Sequence, residues 1–503
     1  MFDMEYITSR HKDFYNEGHT RSLQFRLVQL GKLKQLIENN EQALCQAVYQ
    51  DLRRDYGFTK QLELTLCITE IDHFIKNLKQ WMEPEKVEKT VLNALDELSI
   101  VKDPYGTVLL MSTWNFPALM CFFPLIPIIA AGNTVVLKCS ENAPATSELV
   151  KKLIPQYFEL DFITVVTGGP DVAAKVLEYK FDKIMYTGSH KIGKIIMEAA
   201  SKHLTPCVLE LGGKCPVVVL PDCDVAIAAR RIVWGKLLNV GQVCITADYL
   251  LVHPDILDQF LLELNKSVIE YYGDEVQKSK DYCRIINELH FNRLNDLLMS
   301  SKGHIALQYG KPNREDLYFP PTVVQIGPND PLMGEEIFGP IIPILSVQSL
   351  DDAIRFINSR PAPLAAYVFS KSQKYIDQFI HKIPSGAIVA NDLMIHFFAD
   401  TLPFGGRGNS GMGAYRGKFG FDEFTHSKSV IKKGYFAESL AESRYPPYDK
   451  SKYRRLAFVM TRRDYPPALF KLIGRNWFTV VLSMAIGVLM HKFKEYIPFM
   501  RYF

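Results

Sequence analysis

Short β-rich runs alternate with helical stretches between residues 108 and 210, and this alternation restricts the fold more than any other feature. The β-rich runs lie at residues 108–111, 135–137, 162–166, 183–186 and 208–210. Helical spacing of apolar residues fills the intervals at 148–158, 172–179 and 192–203. Strands that alternate with helices are typical of βαβ units around a parallel sheet. We therefore predict an α/β, nucleotide-type fold.

A second α/β pattern follows this region. A strand at 216–220 leads into a helix at 224–238, and a strand at 249–253 leads into a helix at 254–270. Residues 21–53 carry apolar residues at helical spacing, so the chain is expected to open with helices. The length of 503 residues suits two or three domains.

Composition excludes several classes of function. The chain is 48% hydrophobic and 22% charged, as in a globular protein, and its net charge of +3 is too small to indicate a nucleic-acid binder. Its nine cysteines are odd in number and never form a C-x-x-C pair. This pattern predicts a reducing compartment, with neither a disulfide framework nor a metal site. The first residues have no apolar core of a secretory signal.

The C-terminal end is different. Residues 477–490 carry no charge, and a strongly basic linker at 437–476 precedes them. Fourteen residues fall short of the roughly 20 that a spanning helix needs, so a buried core helix is an alternative. Extension back to Ala468 reaches that length but includes Lys471 and Arg475. Because basic residues beside an apolar segment favour the cytoplasmic leaflet, we predict a membrane anchor at 477–490 with a basic tail at 491–503.

One glycine-rich turn is suited to phosphate. Gly188, Gly193 and Lys194 have the spacing of a P-loop, but Ile195 stands where a hydroxyl must hold magnesium. The ordinary G-x-G-x-x-G fingerprint is absent from this turn. What remains is a strand, a turn and a helix N-terminus, which fits either a pyrophosphate site or a plain β-to-α turn.

Three polar residues stand out near apolar segments. Glu210 ends a strand just before two glycines, so it is either a solvated strand end or a base with a raised pKa. Cys244 follows Gly241, Gln242 and Val243, and is either a nucleophile or a small hydrophobe. Asn115 could donate to an oxyanion or cap a turn.

The order of these motifs along the chain is more specific than any one of them. Asn115, Lys138 with Glu141, the 187–189 turn, 210–214, 241–244, 335–340 and 402–415 occur in succession. Together they resemble the aldehyde dehydrogenase superfamily over about residues 5 to 436. The last motif, with its continuation to His426, resembles the class 3 branch, and with the apolar tail the similarity is greatest to its membrane-bound fatty aldehyde dehydrogenases.

The resemblance implies a mechanism and a cofactor. Cys244 would attack the aldehyde, Asn115 would hold the oxyanion, and Glu210 would activate the water that releases the acid. It implies NAD, with NADP possible but weaker, because the Glu141 carboxylate would repel a 2′-phosphate. The implied cofactor contacts are Lys138, Glu141, Thr187, Gly188, Ser189, Gly193, Leu211, Gly212, Glu336 and Phe338. Within this set Glu336 would hold the nicotinamide ribose.

The resemblance also implies a domain plan. An NAD-binding domain would comprise residues 1–82 and 101–210, and a catalytic domain residues 211–399. A bridging element at 83–100 and 400–436 would pair strands across a homodimer. The tail would tether the dimer to the cytoplasmic face of a membrane, with the endoplasmic reticulum preferred over the mitochondrial outer membrane, peroxisome or lipid droplet.

Substrate choice follows from apolar residues and from the tail. We predict medium- to long-chain aliphatic aldehydes, held in a tunnel whose candidate residues are Trp114, Phe116, Met120, Phe122, Phe123, Ile395, Phe397, Phe398 and Phe404. Two departures from the family pattern, Cys139 and the pair His190 and Lys191, bear on cofactor affinity. Three alternatives stay open: a cofactor-independent cysteine esterase, a catalytically silent membrane scaffold and an acyl-phosphate reductase.

Overall fold

Helices and strands alternate through most of the chain, as the sequence pattern predicts. The computed structural model describes residues 3–90, 93–94, 96–435 and 438–461. The N-terminal half of the chain contributes the following helices: α1 (Met4–Asn16), α2 (Leu23–Asn39), α3 (Glu41–Leu52), α4 (Tyr56–Thr59), α5 (Leu66–Met82), α6 (Pro117–Phe122), α7 (Leu125–Ala131), α8 (Pro144–Tyr157), α9 (Pro170–Val176), α10 (His190–Ser201) and α11 (Val225–Leu237). The helices after it are α12 (Leu257–Tyr272), α13 (Glu288–Ser300), α14 (Leu350–Asn358), α15 (Gln373–Lys382), α16 (Gly417–Glu423), α17 (Glu438–Ala441) and α18 (Lys450–Thr461).

The strands form three sheets. Those before residue 220 are β1 (Glu85–Lys86), β2 (Glu97–Pro104), β3 (Thr107–Met111), β4 (Thr134–Lys138), β5 (Ile163–Val166), β6 (Lys183–Gly188), β7 (Cys207–Leu211) and β8 (Pro216–Val219). The later ones are β9 (Tyr249–Val252), β10 (His304–Gln308), β11 (Thr322–Gln325), β12 (Ile341–Ser346), β13 (Ala365–Phe369), β14 (Ala387–Ala390), β15 (Gly411–Met412) and β16 (Thr425–Lys432).

A six-stranded sheet contains all five strands predicted between residues 108 and 210. Its order is β15-β7-β6-β3-β4-β5, and every pair is parallel except β15 with β7. Strands β3 and β4 are buried along their whole length, as expected for a parallel sheet covered on both faces. The carboxyl ends of β3, β4, β6 and β7 therefore meet at one edge, where Lys138, Thr187 and Glu210 lie.

A seven-stranded sheet contains the second α/β region. Its order is β10-β11-β12-β9-β8-β13-β14, and only β10 pairs antiparallel. Helix α11 connects β8 to the segment that carries Cys244, and the Asp224 side chain caps it by accepting from the Ile227 N–H at 3.1 Å. The predicted α/β architecture is confirmed in both regions.

Two compact units divide the chain. The first comprises residues 1–83 and 102–426 and contains both large sheets; residues 102–426 thus include most of the motif at 400–436. The second comprises residues 84–101 and 427–503, and its described part includes β1, the start of β2, most of β16, α17 and α18. Lys432 and Lys433 form ion pairs with Glu97 and Asp96 within this unit, each at 3.0 Å. The assignment of cofactor, catalytic and bridging domains stays a prediction.

The opening helical stretch is interrupted. Residues 21–53 fold as two helices, α2 and α3, which meet at Asn40, where the amide donates to the Leu36 carbonyl at 2.8 Å. After α4 the chain makes a π-helical turn, Lys60–Thr65, before α5. Such turns are rare and frequently lie near functional sites.

The predicted membrane anchor cannot be compared with these elements. In the part of the chain that the structure describes, no helix combines the length and apolarity needed to cross a membrane. Residues 477–490, like the tail at 491–503 and the linker from residue 462 to 476, lie outside the described residues.

Candidate active site

One cavity of about 960 Å³ within the first unit brings together most of the residues predicted from sequence. The predicted site residues that line it are Asn115, Lys138, Glu141, Thr187, Gly188, Ser189, Glu210, Gly212, Cys244, Glu336 and Phe338. They come from the carboxyl ends of the parallel strands and from the loops that follow α11 and β11. Gly193 and Leu211 do not line this cavity.

Cys244 lies in a turn, and the residues just before it have an uncommon backbone conformation. Asn239, Val240 and Gly241 have φ values of 52°, 55° and 73°, so the chain is left-handed at three consecutive residues. Asn tolerates this region, whereas a β-branched residue such as Val240 is a genuine outlier there. A Cβ on Gly241 would lie 2.3 Å from the Gly339 carbonyl oxygen, so only glycine fits. The left-handed segment turns the chain sharply between α11 and the thiol.

Hydrogen bonds on both sides hold the thiol turn. The buried Gln242 amide donates to the carbonyls of Asn239 and Arg284 at 3.2 and 3.1 Å, and its oxygen accepts from the Ile286 N–H at 3.1 Å. After the cysteine, the Thr246 hydroxyl donates to the Gly235 carbonyl at 2.7 Å. Gln242 therefore has a structural role in the 241–244 motif, next to the residue that carries the reactive group.

The Cys244 thiol is only half-buried, and among the nine cysteines it is the one that lines the cavity. Burial raises the pKa of this thiol, and the nearby carboxyls of Glu336 and Glu210 raise it further. The N–H groups of Cys244 and Ile245 act in the other direction, because they donate to the sulfur and stabilise the thiolate. The thiol is thus the resting form, and a base must remove its proton before it reacts.

Asn115 reaches the thiol turn from the loop after β3. Its amide nitrogen donates to the Gln242 carbonyl at 3.0 Å, two residues before Cys244. An amide nitrogen carries two hydrogens, so one remains for a further acceptor. The amide oxygen is buried and has no hydrogen-bond partner among the described residues. Asn115 is consequently placed beside the thiol segment with unused donor capacity.

Glu210 lies on β7, between its neighbours β6 and β15 in the six-stranded sheet. It lies opposite Thr187 on β6 and opposite Gly411 on β15. The residue is 3% exposed, and neither carboxyl oxygen has a hydrogen-bond partner in the described part of the chain. Burial raises the pKa of this carboxyl well above its usual range, and Glu423 adds to the effect. A raised pKa makes the carboxylate form of Glu210 a stronger base than an ordinary carboxylate, which suits it to remove a proton.

Glu336 is carried by a loop that basic side chains hold in place. Burial raises its pKa to about 8, although the Gly213 N–H donates to the carboxyl and opposes the shift. The Lys214 ammonium bonds to Asp248 and donates to the carbonyls of Leu332 and Glu335, both at 2.8 Å. A Cβ on Gly212 would lie 1.9 Å from the Glu336 Oε2 atom. Gly212 therefore leaves the space that Glu336 occupies.

Aromatic rings pack beside this loop. The Phe338 ring lies 5.4 Å from the Trp114 ring in a T-shaped arrangement, and the Trp114 ring lies 4.7 Å from His290. Burial lowers the pKa of His290 to about 4, so its imidazole is neutral near pH 7. Trp114, Phe338 and His290 all line the cavity, and the sequence analysis did not identify His290.

The turn after β6 has the helix N-terminus that the sequence predicts. Ser189 caps α10, and its hydroxyl accepts from the Ile192 N–H at 3.4 Å. Gly193 contacts Leu211 instead of the cavity, since a Cβ there would lie 2.8 Å from a Leu211 methyl carbon. Gly193 and Leu211, which the sequence predicts as cofactor contacts, pack α10 against β7 and so position the turn.

Lys138 and Glu141 lie at the other end of the cavity. The Lys138 ammonium donates to a Glu141 carboxyl oxygen at 2.7 Å. Lys138 is buried at the end of β4, whereas Glu141 is exposed. The pair presents one positive and one negative group to anything that binds here.

Apolar side chains form the wall near the thiol. Trp114, Phe116, Met120, Phe397, Phe398 and Phe404 line the cavity. The Phe397 and Phe404 rings meet edge to face at 4.9 Å. Phe122 and Phe123 belong to the core, and Ile395 is exposed, so these three predicted tunnel residues do not line the cavity.

Comparison with known protein families agrees with this geometry. The model of the aldehyde dehydrogenase family matches residues 7–430, which is most of the chain. The chain belongs to the aldehyde dehydrogenase family.

Relatives of this aldehyde dehydrogenase cover nearly its whole length. It is 44% identical over 448 residues to the mouse "Aldehyde dehydrogenase, dimeric NADP-preferring", covering 89% of this chain and 98% of that relative. It is 41% identical over 461 residues to "Aldehyde dehydrogenase family 3 member A2" of Pongo abelii, covering 92% and 94%. A solved structure of Staphylococcus aureus AldH in a substrate-bound state superposes with a TM-score of 0.88 at 38% identity, covering 91% of this chain and all of that one.

NAD(P) is the cofactor of this aldehyde dehydrogenase, and the residues present fit it. The cavity joins the thiol to the N-terminus of α10 and to the Lys138 and Glu141 pair. Gly212 has no side chain beside Glu336, where a Cβ atom would clash with the Glu336 carboxyl group. Glu141 and Lys138 would hold the adenosine ribose, the α10 turn the pyrophosphate, and Glu336 the nicotinamide ribose.

Proposed function

We propose that this enzyme oxidises medium- to long-chain aliphatic aldehydes to carboxylic acids, with NAD preferred over NADP. The observation that carries the proposal is the cavity that joins the thiol, the buried Glu210 carboxyl and an aromatic wall to the Lys138 and Glu141 pair. An apolar wall favours alkyl chains over charged substrates. The relative named family 3 member A2 supports a place in the same branch.

The proposed reaction begins with proton transfer from the thiol. Glu210 takes the Cys244 proton, and the thiolate attacks the aldehyde carbon to form a thiohemiacetal. The second Asn115 amide hydrogen and the Cys244 N–H hold the oxyanion. Bound NAD(P) would supply the hydride acceptor, and loss of hydride from the thiohemiacetal would leave a thioester on Cys244. Once the proton from Cys244 has passed from Glu210 to solvent, the carboxylate removes a proton from water, and the resulting hydroxide attacks the thioester. Glu210 then returns this proton to the leaving sulfur, which releases the carboxylic acid and restores the thiol.

The test is NADH formation by purified protein across an aldehyde chain-length series, with NADP in parallel. We expect kcat/KM to rise from short to long chains and to be higher with NAD. A flat chain-length series would contradict the substrate proposal. Hydrolysis of activated esters without any NADH from aldehydes would instead favour the cysteine esterase.

We also propose that the enzyme is a homodimer held at the cytoplasmic face of a membrane. The name of the dimeric relative supports the first part. The uncharged segment 477–490 beside a basic linker supports the second, with the endoplasmic reticulum as the preferred site. Light scattering tests the mass, and truncation after Lys433 tests the anchor. The anchor proposal fails if truncated protein still sediments with membranes and still turns over long chains.

A further inference from the structure

A buried ion pair from the N-terminal part of the chain contacts the segment that carries Asn115. Arg54 precedes α4, and Glu63 lies in the π-helical turn Lys60–Thr65. Their side chains are 2% and 0% exposed, and the Arg54 Nη1 atom lies 2.8 Å from the Glu63 Oε1 atom. Neither residue lines the cavity, so neither can touch substrate.

The two partners hold opposite ends of one short segment. The Arg54 Nη2 group donates to the Asn115 carbonyl at 2.9 Å, and its guanidinium lies 4.7 Å from the centre of the Phe116 ring. The Glu63 carboxyl accepts from the N–H groups of Ala118 and Leu119 at 2.9 and 2.8 Å. One ion pair thus fixes residues 115–119 at both ends, including the first turn of α6.

The same carbonyl connects this segment to the thiol turn. The Asn239 amide donates to the Asn115 carbonyl at 2.8 Å and to the Gln242 carbonyl at 3.1 Å. The Asn115 amide in turn donates to the Gln242 carbonyl. Displacement of the Asn115 backbone would therefore move the amide relative to Cys244.

General energetics argue against stability as the main purpose of such a pair. Removal of two charges from water costs as much as their attraction returns, and an apolar replacement of both is often neutral or stabilising. Oxyanion donors, by contrast, must be held within about 0.5 Å of their working position. A rigid pair that bonds to three backbone groups around Asn115 supplies that precision.

We propose that Arg54 and Glu63 are positioning residues that hold Asn115 in place as the oxyanion donor. The inference rests on the proposed function, because it assumes that the Asn115 amide stabilises the oxyanion. Arg54 and Glu63 act through Asn115 and not on the substrate.

The test is a set of full-length variants measured for kcat, KM, NADH affinity and thermal unfolding. Single removal of Arg54 would leave a buried carboxylate without its partner, so the informative variant is the pair Arg54→Met with Glu63→Gln. The new amide oxygen still accepts from the N–H groups of Ala118 and Leu119. We expect kcat to fall about tenfold, while NADH affinity changes less than about twofold. Arg54→Lys, with Glu63 unchanged, retains a cation as the partner of Glu63 and should keep more of the wild-type kcat than the paired variant.

Two further variants separate positioning from a general structural effect. In an Asn115→Ala background, the paired substitution should change kcat by less than about twofold, because the group that it positions is gone. Arg26 is another buried arginine that donates to backbone carbonyls, those of Thr20 and Ala130, and it lies away from the cavity. Arg26→Met should lower the melting temperature and leave kcat unchanged.

Each outcome decides between the proposals. A normal kcat in the paired variant, or equal losses in the wild-type and Asn115→Ala backgrounds, overturns the positioning role and leaves the proposed reaction intact. Loss of NADH binding together with kcat also overturns it. A normal kcat in Asn115→Ala alone would instead refute the oxyanion role of Asn115, and with it the proposed function on which the inference depends.

Discussion

At the thiol end of the cavity, both Glu210 carboxyl oxygens and the Asn115 amide oxygen are buried without a hydrogen-bond partner among the described residues. At the other end, Lys138 and Glu141 satisfy each other across 2.7 Å, and Glu141 is open to solvent. Buried groups without partners cost folding free energy, whereas a partly exposed pair costs little. We infer that the unpartnered groups near the thiol lower the folding stability and serve the reaction. The Lys138 and Glu141 pair serves the choice between NAD and NADP. Four substitutions test this comparison, in order of decreasing expected effect.

Cys244→Ser should remove dehydrogenase activity by at least about 1,000-fold, because a serine hydroxyl is far less acidic than a thiol and Glu210 cannot ionise it effectively. The measurement is NADH formation at saturating aldehyde and cofactor. Cys207→Ser is the matched control, since Cys207 is also half-buried but does not line the cavity. Retained activity in Cys244→Ser would refute the proposed mechanism.

Glu210→Gln should slow turnover by about 100-fold, because no group would remain to activate water. It should also stabilise the fold near neutral pH. The folded pKa of Glu210 lies above its unfolded value, so folding disfavours the charged form at high pH. This cost is absent below the unfolded pKa of about 4.3 and grows as pH rises above it.

Thermal unfolding of Glu210→Gln and wild type between pH 4 and 8 measures that cost. The two melting temperatures should converge at the acid end and separate toward pH 8, with the variant higher. Equal melting temperatures at every pH would mean that Glu210 is not destabilising, and the contrast between the two ends of the cavity would disappear.

Gly212→Ala should weaken NADH binding by about tenfold, because its Cβ would occupy the position of the Glu336 carboxyl and displace it. Fluorescence titration of NADH gives the affinity. Gly213→Ala is the control, as its Cβ would lie 3.5 Å from the nearest atom, an ordinary contact. Similar losses in both variants would show that the effect is not specific to Glu336.

Glu141→Gln should shift the NAD to NADP ratio of kcat/KM toward NADP by about fivefold, equivalent to about 1 kcal/mol for one exposed charge. Lys138 would lose its carboxylate partner and face a 2′-phosphate. Glu148→Gln, which alters a comparable pair with Lys151 on α8, should leave the ratio unchanged. An unaltered ratio in Glu141→Gln would exclude Glu141 as the selective group.

Sequence patterns predict the sheets and the reacting residues well for a physical reason. Parallel strands buried on both faces, such as β3 and β4, require continuous apolar runs, which are visible without a structure. Glu210 lies near the end of β7, Asn115 follows β3, and Cys244 follows α11. Their joint order along the chain then distinguishes them from ordinary cysteines, glutamates and asparagines.

What the sequence does not reveal depends on distant contacts. Arg54 and Glu63 look like ordinary charged residues of surface helices, yet tertiary packing buries both. The left-handed Val240 is equally hidden, because local preference opposes that conformation and only the surrounding contacts enforce it. His290 enters the cavity through the packing of α13, which no local motif indicates.

The contact between Gly241 and Gly339 has a consequence for engineering. A Cβ on Gly241 would strike the Gly339 carbonyl, and a Cβ on Gly339 would lie 2.5 Å from a Leu294 methyl carbon. The turn that carries Cys244 and the loop that carries Glu336 and Phe338 are therefore closely packed against each other, although they lie far apart in the sequence. Transfer of the reactive cysteine to another scaffold would require both segments to be grafted together. Helix α13 would have to be kept as well, because its Leu294 side chain packs against Gly339.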